Sequence, residues 1–157
     1  MKRRNFTLGF AVMAGLLITS CGPTPQLRVH DAVLTLSPVD RNPSSLHFNV
    51  LGGPADIYLL SVRSPSVIRS EMHDVGVDPK TGAVTMKPLE RVLIPADGKV
   101  EFKKGGKHVM MWGVNLVPRR LGIMETELVF NSGDRIWVKA VVQEADGSEP
   151  DEKKELD

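Results

Sequence analysis

The 157-residue chain sets 20 Lys and Arg against 19 Asp and Glu, is 41% hydrophobic, and holds four His and a single Cys. Near-balanced charge argues against nucleic acid as a partner, and one cysteine excludes any disulfide within the chain. The length suits one domain with short appendages.

At the N-terminus, Lys2, Arg3 and Arg4 precede an apolar stretch from Phe6 to Ile18. That is the charged n-region and apolar h-region of a secretory signal, over residues 1–20, and it is shorter than the ~20 apolar residues of a spanning helix. Ile18-Thr19-Ser20-Cys21 resembles the lipobox of bacterial lipoproteins, in which the cysteine is acylated and becomes the new N-terminus. The resemblance implies lipidation at Cys21 and a periplasmic protein held to a membrane by its lipid. Gly22 stands where an Asp would retain an enterobacterial lipoprotein at the inner membrane, so outer-membrane sorting is expected. Processing removes three basic residues and no acidic one, which turns the net charge slightly negative. It also consumes the only thiol, so thiol–disulfide exchange, a Cys nucleophile, a Cys-type zinc site and a blue-copper site are excluded.

Residues 21–27 read as a Pro-rich linker. From there to residue 142, short apolar or alternating runs recur between turn residues: Leu27–Ser37, Ser45–Leu51, Asp56–Arg63, Val67–His73, Ala83–Pro88, Arg91–Ile94, Lys99–Phe102, His108–Val114, Thr126–Phe130 and Arg135–Val142. Gly52-Gly53-Pro54, Asp78-Pro79-Lys80-Thr81-Gly82, Gly105-Gly106 and Asn131-Ser132-Gly133-Asp134 are among the turns that separate them. No segment keeps a helical period beyond a turn or two, and many short strands with regular turns predict an all-β sandwich or barrel. Residues 143–157 contain one Leu and no other large apolar side chain, which predicts a disordered charged tail.

The run His108-Val109-Met110-Met111-Trp112-Gly113 crowds an imidazole, two thioethers and an indole together. On a strand, His108, Met110 and Trp112 share one face, while Val109 and Met111 take the other. Taken alone the run reads as a core strand, since Met commonly fills gaps and a lone His is more often structural than a ligand. His73 and Met86 change that. In order, His73, Met86 and His108-x-Met110 resemble the copper-binding signature H(M)x10Mx21HxM of the periplasmic PCu(A)C copper chaperones. The second interval matches, whereas the first is x12, so the hairpin between His73 and Met86 is two residues longer than the pattern. The optional Met after the first His is Asp74 here. The flanking blocks "MKPLERVLIPADGKVEFKKGGKHVMMWG" and "SVRSPSVIRSEMHD" resemble the family framework, and the resemblance covers residues 28–142.

The family resemblance implies a cupredoxin-like Greek-key β-sandwich and Cu(I) held by His73, Met86, His108 and Met110. The residue types agree, because thioethers select Cu(I), imidazole suits copper, and thioethers are poor zinc ligands. Trp112 shares the ligand face and is a candidate for shielding the ion; Met72 and Met111 belong to the core, and His30 and His47 read as structural. The implied function is not enzymatic: it is delivery of Cu(I) to a copper-accepting protein, either a cytochrome c oxidase subunit or its thioredoxin-like assembly factor. A copper-sequestering resistance protein, and a β-sandwich lipoprotein that binds protein partners without metal, are the alternatives.

Overall fold

The computed structural model describes residues 25–39 and 41–151. The signal peptide, Cys21 and the end of the charged tail lie outside the described residues.

Among the described residues, ten strands and one short helix follow in order: β1 Arg28–Thr35, β2 Ser44–Leu51, β3 Ile57–Arg63, β4 Arg69–Val77, β5 Val84–Pro88, β6 Val92–Ile94, β7 Lys99–Phe102, β8 His108–Trp112, α1 Leu116–Leu121, β9 Ile123–Phe130 and β10 Arg135–Gln143. They form one hydrogen-bonded sheet in the order β5-β4-β8-β2-β1-β10-β9-β3-β6, with β7 also on β2. β1 sits between β2, which it pairs antiparallel, and β10, which it pairs parallel. Chain ends far apart in sequence are thus joined at the centre.

The sheet is bent over on itself, so that its inward side chains make one core. Period-two alternation drives this: in β2, Leu46, Phe48 and Val50 are buried while Ser45, His47 and Asn49 face outward. Leu59, Leu128 and Phe130 of the far half join the same core as Leu46, Phe48 and Met111. Phe48 stacks on Phe102 with ring centroids 4.3 Å apart, and the Ser70 hydroxyl donates to the Val62 carbonyl, tying β4 to β3 across the fold.

Three expectations shift. β4 continues to Val77, which places His73 mid-strand rather than at a strand end. β9 starts at Ile123, ahead of the expected Thr126, because α1 fills the preceding segment. Asn115 caps that helix by accepting from the Val117 N–H at 3.0 Å, and Gly122, at φ 68°, closes it. At the C-terminus, β10 ends at Gln143 rather than Val142, and the Glu144 N–H bonds the Ser148 carbonyl.

β7 and β8 are not the two arms of a hairpin. Both run antiparallel to β2, Phe102 opposite Phe48 and Val109 opposite Leu46. They form a single line along β2, interrupted by an excursion at residues 103–107. Lys103 N–H bonds the Lys107 carbonyl at the base of that excursion, and Gly105 takes φ 77° at its tip, a conformation that favours glycine.

Candidate metal centre

Strand pairing builds the site from three adjacent strands. On β4 and β8, His73 lies directly opposite His108, Glu71 opposite Met110 and Arg69 opposite Trp112. β5 adds Met86 opposite Val75 and Pro88 opposite His73. Directly opposed residues point to the same side of a sheet, so His73, Met86, His108 and Met110 share the outer face. Met72 and Met111 point the other way and are buried in the core.

His73 and His108 have ring centroids 6.1 Å apart. His108 is itself buried, and the His73 side chain is only 13% exposed. Hydrogen bonds settle which nitrogens are available. A carbonyl can only accept, so His108 Nδ1–H donates to the Gly106 carbonyl at 2.9 Å and leaves the lone pair on Nε2 in the neutral ring. Likewise His73 Nε2–H donates to the Glu71 carboxylate at 3.3 Å. His73 Nδ1 then keeps its lone pair, buried and without a hydrogen-bond partner. An unpaired buried polar atom costs about 1–3 kcal/mol, a cost that coordination to a cation would remove. A donor ring fixed through its second nitrogen by a carbonyl or carboxylate is the usual arrangement around protein-bound metals.

The two thioethers differ. Met110 is half-buried beside its cross-strand neighbours Glu71 and Ser45, whereas Met86, on the edge strand, is 57% exposed. Among the described residues no group of three or more His, Cys, Asp and Glu side chains could hold a metal ion. The thioethers of Met86 and Met110 add soft donors to the two imidazoles on this face, a set that favours a soft cation.

Trp112 shares the face, and its ring is covered by the Arg69 guanidinium at 4.1 Å from the centroid, a cation–π contact made within the protein. Lys107 Nζ meets Asp74 Oδ2 at 3.0 Å, which fastens the excursion between β7 and β8 to β4 beside the histidines. His30 bonds Asp31 on the exposed part of β1, away from this face's donors.

His47, read as structural from the sequence, stands differently. Its ring centroid is 6.4 Å from that of His108, and it lines a cleft of about 400 Å³ together with Met86, His108 and Lys104. Burial lowers its pKa from the ordinary value, and the nearby charges of His108 and Lys104 push the same way. The outward alternation of β2 was the available sequence signal.

The fold is similar to that of PCuAC domains. The copper-bound PCuAC domain from PmoF2 superposes with a TM-score of 0.60 at 16% identity, covering 76% of this chain and 93% of that one. The apo PmoF2 PCuAC domain gives 0.59 at 18% identity, over 82% and 94%, and the solution structure of apo-DR1885 from Deinococcus radiodurans 0.56 at 17%, over 94% and 98%. Residues 27–142 match the family model described as "Putative lipoprotein LpqE-like", and the chain belongs to that LpqE-like family. No curated protein matches the sequence.

Proposed function

We propose that the protein is a lipid-anchored, extracytoplasmic Cu(I) metallochaperone. The observation that carries this reading is the outer face itself: two opposed histidines with free lone pairs on buried or nearly buried rings, flanked by two methionines. The fold likeness to a copper-bound PCuAC domain and the membership of a family described as lipoproteins support it. His73, Met86, His108 and Met110 would hold Cu(I) as a closed site of neutral ligands, which binds a soft cation and still lets it exchange.

Copper is the cargo, and no bond of an organic substrate is made or broken. Transfer is associative: a Cys or His of an acceptor adds to the ion as the most exposed thioether, Met86, leaves. The acceptor in this reading is a copper-receiving protein of cytochrome c oxidase assembly, either an oxidase subunit or a thioredoxin-like assembly factor. Anchoring is through Cys21, to the outer membrane.

The test is a Cu(I) titration of the domain against a competing chelator. One tightly bound Cu(I), and no intense blue absorbance with Cu(II), is the expected result, since no thiolate is available. Two tight ions, or a preference for Zn²⁺, would sink the assignment.

A further inference from the structure

We propose that His47 is an additional copper donor, which with His108 and Met86 forms an outer station through which the ion enters and leaves the site. This rests on the Cu(I) reading above and extends it to a residue outside the signature.

Three observations carry it. First, the register of β2 with β8 pairs Ser44 with Met111, Ser45 with Met110 and Leu46 with Val109, so the next pair is His47 and His108. His73, His108 and His47 therefore stand in one row across β4, β8 and β2. Secondly, the distances suit shared ions. A metal–imidazole bond of about 2.0 Å puts a ring centroid about 3.2 Å from the ion, so two rings on one ion have centroids no more than about 6.4 Å apart. The His73–His108 pair, at 6.1 Å, lies within that reach, and the His108–His47 pair, at 6.4 Å, lies at its limit, a near-linear N–Cu–N arrangement to which Met86 would add a third, weaker contact. Thirdly, accessibility divides the donors. His47, His108 and Met86 line the cleft, whereas His73 and Met110 do not. An acceptor entering the cleft meets His47 and Met86 with the buried His108 between them and His73.

The step is a ligand exchange without redox change. The Cu–N bond to His47 forms as those to His73 Nδ1 and Met110 Sδ break, while His108 and Met86 keep hold; the copper stays Cu(I) and no proton moves if the three rings are neutral. Lys104 lines the same cleft, and its positive charge disfavours a resting cation there. The outer set is thus the less populated of two stations in exchange.

Two measurements on the full domain test this. In the wild type, the ¹⁵N imidazole signals of His47 should shift when Cu(I) is added to one equivalent. In His47→Gln, equilibrium Cu(I) affinity should stay within about threefold while stripping by excess chelator slows about tenfold or more, the size typical of losing a supporting metal-site group. An unmoved His47 signal, or an unchanged stripping rate in a folded variant, overturns the outer station. If the wild type takes up no Cu(I) at all, the chaperone reading itself fails; if it binds Cu(I) and His47 is silent, only this inference falls.

Discussion

Met110 and Met111 are neighbours with identical chemistry and opposite surroundings. Met110 lies on the outer face across from Glu71, and Met111 is fully buried in the core. Leucine nearly preserves the volume and apolarity of either, so both substitutions should cost less than ~1.5 kcal/mol of stability. Only Met110→Leu removes a donor: its Cu(I) affinity should fall about tenfold or more, while Met111→Leu leaves affinity alone. Equal affinities for the two variants in chelator competition would return this strand to a purely structural role. Protons compete with the metal for the imidazole nitrogens, so wild-type affinity should also drop on acidification, measurable by the same competition. Away from the site, the ammonium groups of Lys103 and Lys99 hydrogen-bond Glu101 and hold its carboxyl at about 2. With the folded value depressed, any stability Glu101 contributes is present above the ordinary carboxylate pKa and is lost as pH falls through about 2. Glu101 is exposed, so an NMR titration should find that midpoint rising toward the ordinary value in ~1 M salt.

At the scale of elements, the hairpin β4–β5 decides whether the long first interval of the signature matters. The ligand strands pair Asp74 with Lys87 and Val75 with Met86, and pairing continues outward through Gly76–Thr85 to Val77–Val84. Beyond that, Asp78 Oδ1 accepts from the N–H groups of Lys80 at 2.7 Å and Thr81 at 3.2 Å, and Gly82 takes φ 69°. The turn is therefore self-contained and lies past the residues that place Met86. Replacing residues 79–82 by a two-residue Asn-Gly turn, the usual hairpin connection, should keep Cu(I) affinity within about threefold, since loops tolerate length changes. A loss of about tenfold or more would mean that the tip sets the position of Met86. The same comparison explains what the sequence made legible. Alternation and turn residues revealed most strands and the inward placing of Met72 and Met111, and the spacing of His73, Met86, His108 and Met110 marked the four that share a face. The position of His47 beside His108 stayed hidden because it depends on which strand β8 lies against. A Gly-Gly turn before His108 looks like a reversal, whereas the chain leaves and rejoins the same line along β2. Local pattern reports the face of a strand; it does not report its neighbour.

For the whole molecule, the proposed reading raises the question of how a site on a sheet face would meet an acceptor from a membrane anchor. Leu27 packs against the core, so the folded unit starts about six residues after Cys21, a tether of ~20 Å at full extension. The donors lie further along the sheet, in the row of His47 and Val33, away from the Arg28–Leu51 end where the chain enters. In the proposed reading the anchored edge and the copper face are thus separate, and an acceptor would approach from the side without displacing the tether. Among the described residues, no helix is long and apolar enough to cross a membrane, so attachment in this reading rests on the lipid at Cys21. Exporting the chain from a cleaved signal that ends without the cysteine should move it from the membrane fraction to the soluble fraction, because the lipid chains supply ~0.8 kcal/mol per buried methylene and nothing described replaces them. Its Cu(I) affinity in chelator competition should match that of the anchored form, since the tether contributes no donor. Continued membrane association of the cysteine-free protein would overturn the anchor at Cys21, and a weakened affinity in the released protein would show that the tether reaches the copper face after all.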